Sequence, residues 1–194
     1  MLPPLSLLSS QVPVPAFNHL NVLIADGNRH MRTLLKGVLR TLGLHHIRES
    51  TDGPSALKEL NLVSIDLLIT EYALDTLDGL DLTRLVRTAS DICNPYVPVI
   101  MLTSFTERHV VARARDVGVN EFLAKPISAE ALYARLVGIV FHPRDFVATH
   151  NFLGPDRRRR QTKLKCEERR FTPSKLIHPP PLITEDAPQH ITLH

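Results

Sequence analysis

Four polar side chains in this sequence stand directly at the ends of short apolar runs. They are two carboxylates, a hydroxyl and an amine: Asp26, Glu71, Thr103 and Lys125. Two carboxylates at one place can hold a hard divalent cation such as Mg²⁺. A hydroxyl and an ammonium suit an anion such as a phosphoryl oxygen. If the fold brings the four together, the chemistry they predict is the handling of a phosphoryl group.

The elements around these residues alternate between strand and helix. The run from Val22 to Ala25 precedes a helical pattern with apolar residues at i, i+3, i+4, i+7, i+8 and i+11, starting at Met31. Continuous apolar runs such as Leu67 to Ile69 are typical of parallel strands that are covered on both faces. Five such β–α units in about 120 residues predict a doubly wound α/β sheet. Ligands bind such sheets beyond the carboxyl ends of the strands, where the four polar residues are expected.

Composition and charge exclude several classes of protein. The chain has 194 residues, 43% of them hydrophobic, with two cysteines and a formal net charge of +3. Its apolar runs are too short to span a bilayer, its N-terminus lacks a basic signal-peptide region, and two cysteines make no disulfide framework. We therefore expect a cytoplasmic protein with no membrane span. Its predicted parts are a disordered lead at 1–19, a domain at 20–141 and a basic, proline-rich tail at 142–194, disordered after Arg170.

Four stretches of the sequence resemble the response-regulator receiver domains of bacterial two-component signalling. The stretches are VLIADGNRHMR, DLLITEYALDTLDGLDL, PVIMLTS and EFLAKPIS. The resemblance implies a five-stranded parallel sheet of order 2-1-3-4-5 with five helices. In the family, a strand-3 aspartate accepts a phosphoryl group from a histidine kinase beside a bound Mg²⁺. For this sequence, the resemblance implies that Asp26 belongs to the acid pocket and that Thr103 and Lys125 contact the phosphoryl group. It also implies that Phe122 is the switch aromatic and that the Lys125–Pro126 bond, often cis in the family, can be cis here.

Three positions depart from the family pattern. The phosphoacceptor position is Glu71, the second acid after strand 1 is Gly27, and Asp75 replaces a usual proline. A longer acceptor side chain misplaces the reacting atom, and a lost carboxylate leaves at most a weak Mg²⁺ site at Asp26 and Glu71, so no cofactor is expected. One interpretation is a phosphomimetic glutamate, paired with Lys125 and accepting a hydrogen bond from Thr103. The alternatives are a decayed pocket, or inefficient phosphorylation, including at Asp75.

The net positive charge of the chain lies in its tail. Residues 141–194 contain ten basic and six acidic side chains, among them four consecutive arginines, Arg157, Arg158, Arg159 and Arg160. Guanidinium groups bind phosphates bidentately, so this run is a candidate anion site. A weak resemblance to arginine-bearing receiver extensions suggests a cyclic dinucleotide ligand and a role in motility. The alternatives are non-specific polyanion binding or a solubilising tail.

The sequence favours a regulatory protein over an enzyme. The loop after the first strand lacks the second aspartate of dehalogenase-type phosphatases, having Asn28 there, and it lacks a Gly-x-Gly-x-x-Gly pattern. The resemblance implies output through the face of helix 4, strand 5 and helix 5, where Arg108, Arg113 and Arg115 suit an acidic partner or a second copy, as in a dimer. A histidine kinase or a flagellar or cell-cycle protein is the expected kind of partner.

Overall fold

The computed structural model describes residues 17–105, 107–150, 152–156 and 175–182. Five consecutive β–α units form a parallel sheet with helices on both of its faces. The strands of this sheet are β1 (Asn21–Ala25), β2 (His46–Ser50), β3 (Leu67–Glu71), β4 (Val99–Thr103) and β5 (Glu121–Ala124). The helices are α1 (Arg29–Thr41), α2 (Gly53–Leu62), α3 (Gly79–Thr88), α4 (Arg108–Asp116) and α5 (Ala129–Phe141). The strand order β2-β1-β3-β4-β5 confirms the predicted doubly wound topology.

Both faces of the sheet are covered, as the apolar strands predicted. One core cluster joins Val22, Ile24 and Ile69 to α1 and α5, and the other joins Leu23 and Leu68 to α2, α3 and α4. Alternate residues of a strand point to opposite faces, so the continuous runs fill both clusters. Helix starts are set by side-chain caps: Asn28, Asp52, Asp78 and Ser128 each accept a hydrogen bond from a backbone N–H of the first turn.

The residues flanking this domain are more ordered than the sequence predicted. Phe17, placed in the disordered lead, is buried and packs edge-on against Tyr133 and Phe141. The tail forms a second, three-stranded sheet in the order β7-β6-β8, made of β6 (Phe146–Thr149), β7 (Phe152–Pro155) and β8 (Lys175–Ile177). The expected disorder after Arg170 is therefore wrong for residues 175–182. Their last residue, Leu182, packs against the core and accepts a hydrogen bond at its carbonyl oxygen from His19.

The predicted arginine run lies outside the described residues, which leave out all four of its members: Arg157, Arg158, Arg159 and Arg160. Its role in binding an anion or a cyclic dinucleotide therefore stays a prediction. No helix in the described ranges is long and apolar enough to cross a membrane.

Candidate functional site

The four polar residues predicted to share a site stand at the carboxyl ends of four adjacent strands. Asp26 follows β1, Glu71 ends β3, Thr103 ends β4 and Lys125 follows β5. Parallel pairing aligns these ends, since Glu71 lies opposite Leu102 and Thr103 opposite Ala124. The peptide bond between Lys125 and Pro126 is cis, as the resemblance implied.

Asp26 is almost completely buried, with 2% of its surface exposed. Its Oδ1 accepts a hydrogen bond from the backbone N–H of Asn28 at 2.7 Å, and its Oδ2 accepts one from Lys125 Nζ at 3.2 Å. The backbone carbonyl of Asp26 accepts a further bond from Arg32 Nη1 at 2.7 Å. The carboxylate is thus held in one orientation, and its charge is compensated by Lys125, as a buried charge requires.

Glu71 forms an ion pair with Lys125 through its Oε2. Its Oε1 accepts a hydrogen bond from the backbone N–H of Tyr72 at 3.1 Å, so the carboxylate is fixed at both oxygens. The backbone of Glu71 packs closely against Gly79, the first residue of α3. A Cβ added to Gly79 would lie only 2.3 Å from the carbonyl oxygen of Glu71. Only glycine fits that position, and the close approach fixes where the side chain of Glu71 begins.

Lys125 therefore lies between two carboxylates in a partly closed pocket. The side chains of Lys125, Glu71 and Asp26 are 16%, 12% and 3% exposed. Charge-assisted hydrogen bonds in such surroundings are stronger than neutral ones. The structure thus brings together three of the four predicted residues in one ionic cluster.

Thr103 does not join this cluster. It is buried, and its Oγ1 accepts a hydrogen bond from the backbone N–H of Phe105 at 2.9 Å. The hydrogen bond expected from Thr103 to Glu71 is not formed. The hydroxyl stabilises the turn after β4, a role that Ser and Thr side chains commonly take at strand ends.

Phe122 lies on β5, and its half-buried side chain packs against the core cluster on the α2–α4 face of the sheet. Asp75, the alternative acid, is exposed in the loop between β3 and α3, where its carbonyl oxygen accepts a hydrogen bond from Leu77. In the described residues, Asp75 forms no ion pair with Lys125.

Three residues at the pocket were not predicted. Arg32 contacts the backbone of Asp26, and Tyr72 and Phe105 pack their rings together with centroids 5.8 Å apart. The only sequence signal for the ring pair is its position, since Tyr72 follows Glu71 and Phe105 comes two residues after Thr103. Phe105 remains 47% exposed, so an aromatic surface lies beside the pocket.

The carboxylates at this pocket that a magnesium ion could use are both engaged by Lys125. Mg²⁺ requires near-octahedral oxygen coordination. Asp26 and Glu71 each direct a carboxylate oxygen to Lys125, and Gly27 contributes no side-chain oxygen. Among the residues that the structure describes, no group of three His, Cys, Asp or Glu could hold a metal ion. The ammonium of Lys125 contacts one oxygen of each of these carboxylates.

Comparison with known proteins places this geometry in a family. The family model of the response regulator receiver domain matches residues 22–137. The chemotaxis protein CheY of Pseudomonas aeruginosa is 32% identical over 117 residues, which cover 60% of this chain and 93% of that protein. The chemotaxis protein CheY-3 of Vibrio cholerae is 30% identical over 118 residues, covering 61% of this chain and 89% of that protein.

Solved structures agree with these sequence matches. The receiver domain of the sensor histidine kinase PA1611 of Pseudomonas aeruginosa, solved with magnesium in its active-site cleft, superposes with a TM-score of 0.55 at 27% identity, covering 61% of this chain and 94% of that one. The chemotaxis response regulator CheY4 of Vibrio cholerae superposes with a TM-score of 0.56 at 25% identity, covering 60% and 95%. Through residues 22–137 the chain belongs to the response regulator receiver domain family, whose members serve two-component signalling.

Proposed function

We propose that this chain is an atypical receiver whose signalling state is fixed by Glu71 and that acts by binding other signalling proteins rather than by accepting a phosphoryl group. The observation that carries the proposal is the ion pair between Glu71 and Lys125. Lys125 is the residue that the family resemblance assigns to phosphoryl contact. In this chain its ammonium is already neutralised by two carboxylates of the protein itself.

The chemistry of the pocket opposes phosphotransfer in two ways. Both carboxylate oxygens of Glu71 are already engaged, Oε2 by Lys125 and Oε1 by the N–H of Tyr72. The longer side chain also displaces the reacting atom, and a displacement of about 1 Å costs on the order of a hundredfold in rate. A divalent cation has no carboxylate that is free of Lys125, because Gly27 stands at the second acid position. On this proposal no cofactor takes part, and the module is not an enzyme.

The partner surface that we propose is the face of α4, β5 and α5. Arg108, Arg113 and Arg115 are exposed on α4. Such a face complements an acidic partner, since opposite charges steer association and suppress wrong partners. On this proposal a histidine kinase or another signalling protein binds without transferring phosphate, and a phosphodonor leaves the binding unchanged.

Phosphorylation of restored variants tests the proposal. A Cβ on Gly27 would have its nearest neighbour at 3.5 Å, the carbonyl oxygen of Thr51, which is an ordinary contact. The pocket therefore has room for an aspartate there. The experiment incubates the wild type, Gly27→Asp, Glu71→Asp and the double variant with acetyl phosphate and Mg²⁺, then measures acid-labile phosphate on the intact protein by mass.

We expect label on the double variant and none on the wild type. The Gly27→Asp variant controls for metal binding alone, and it stays unlabelled because Glu71 still engages Lys125. Robust labelling of the wild type on Glu71 or Asp75 would overturn the proposal. Absence of label from all four proteins, with native folds by circular dichroism, would favour a decayed pocket over a fixed state.

A further inference from the structure

A cleft of about 190 Å³ lies where the receiver meets the C-terminal sheet. The receiver contributes Arg115 from α4, Phe122 from β5 and Arg135 from α5. The C-terminal extension contributes Arg144, which follows α5, and Pro155, which ends β7. The cleft therefore depends on the extension being docked, and none of the four strand-end residues of the pocket lines it.

The charge of the cleft is strongly positive. Three of its lining side chains are arginines and one, Glu121, is acidic. Glu121 Oε1 accepts from Arg144 Nη2 at 2.8 Å, whereas Glu121 Oε2 lies 3.6 Å from Arg135 Nε, too far for a good hydrogen bond. The guanidinium of Arg115 forms no hydrogen bond or ion pair with the part of the chain that the structure describes. Most of the guanidinium donors are thus uncommitted.

Arg87 holds the extension against the receiver. It is 4% exposed, and its guanidinium donates to the carbonyl oxygen of Gly118 at 3.0 and 3.3 Å, to Pro95 O at 2.7 Å and to Asn120 Oδ1 at 3.1 Å. Its Cζ lies 5.1 Å from the ring centroid of Phe146, which is buried on β6. Burial lowers the pKa of Arg87 to about 9, so the group is still charged at neutral pH. The hydrogen bonds hold the guanidinium in place within the receiver, and the cation–π contact joins it to β6 of the second sheet.

The size and charge of the cleft select its ligand. Pockets for drug-sized ligands measure about 300–1,000 Å³, so this cleft suits a small group. Three arginines and one glutamate leave the lining with an excess of two positive charges, and a phosphate monoester carries about −1.5 to −2 at pH 7. Guanidinium forks bind two oxygens of such a group at once. We propose that this cleft binds a phosphate-sized oxyanion, free or as the terminal phosphate of a larger ligand.

Calorimetric titration of the full chain with inorganic phosphate, and separately with AMP, tests this site. Arg115→Gln and Arg135→Gln should each weaken binding about tenfold, the loss of one charge-assisted contact. The matched control is Arg40→Gln, which removes an exposed arginine of α1 outside the cleft and should leave the affinity unchanged. A variant with all four arginines of 157–160 changed to glutamine should also bind as the wild type does. Thermal unfolding of each variant checks that the fold is retained.

The two titrations, one with inorganic phosphate and one with AMP, distinguish a free phosphate ion from the phosphate of a larger ligand. Equal affinity for inorganic phosphate and AMP indicates a free ion, and tighter binding of AMP indicates a phosphate at the end of a larger ligand; either result supports the site. The inference is overturned if binding is not saturable, if Arg40→Gln weakens it as much as Arg115→Gln, or if only the variant at 157–160 loses it. Because the readout is anion binding, it is independent of whether Glu71 accepts phosphate.

Discussion

Glu71 carries its carboxylate one methylene further from the backbone than an aspartate does. That length lets one oxygen reach Lys125 while the other accepts the N–H of Tyr72. The family resemblance and the position of Glu71 at a strand end were enough to predict this ion pair. The direction of Thr103 was not predictable, because its Oγ1 has a local alternative, the N–H of Phe105, which depends on the conformation of the turn.

At this scale we predict that Glu71→Gln lowers the free energy of unfolding by about 1–3 kcal/mol, since it leaves Lys125 with one carboxylate in a partly closed pocket. Urea denaturation measures the change. The control is Glu59→Gln, the same substitution in a more exposed pair with Arg48, which should cost less than about 1 kcal/mol. Equal losses in the two variants would mean that the pair at Glu71 stabilises the fold no more than an exposed pair does.

The strands β1, β3 and β5 position Asp26, Glu71 and Lys125. Each strand was predictable, because the apolar periodicity and the helix-capping residues of the local sequence indicate a β–α unit. The three-stranded sheet was not predictable in this way. Its strands have only three or four residues, and β7 contains both a glycine and a proline, which weaken the strand signal. What holds this sheet is distant in sequence, namely Arg87 of α3 against Phe146 of β6. Local patterns carry no information about such a contact.

The turn between α4 and β5 ties the two sheets together, and it gives a prediction for the elements. Gly118 has φ +96°, and a Cβ there would lie 3.0 Å from the carbonyl oxygen of Leu153 and 3.2 Å from the side chain of Arg87. Gly118→Ala should therefore destabilise the fold by about 1–3 kcal/mol. Hydrogen exchange should show faster opening of β6 and β7.

The control for Gly118→Ala is Gly37→Ala, the same substitution at a glycine in α1. Gly37 lies within α1 with nothing within 4 Å of a Cβ, so alanine should stabilise the helix by about 0.5–1 kcal/mol. Thermal or urea unfolding compares the two. A loss of stability in Gly37→Ala, or none in Gly118→Ala, would contradict the roles given to these glycines.

The whole molecule presents two separate features on one receiver scaffold. At the carboxyl end of the sheet, Lys125 is neutralised by carboxylates of the chain itself. Beside α4, β5 and α5, arginines from the receiver and its extension line a cleft with an excess of positive charge. Strand β5 contributes to both features, because Phe122 lines the cleft and Lys125, the residue after the strand, lies in the pocket. We propose that the protein offers partners a constant surface, because the step that normally changes a receiver is blocked at Glu71.

The most direct measurement of that claim is an amide NMR spectrum of the wild type, recorded with and without Mg²⁺ and the phosphoryl analogue beryllofluoride. We predict that the two wild-type spectra superimpose, while those of the Gly27→Asp/Glu71→Asp variant differ at Thr103, Phe122 and Lys125. Saturable shifts at those amides in the wild type would show that its pocket still admits a phosphoryl group, and would contradict a state fixed by Glu71.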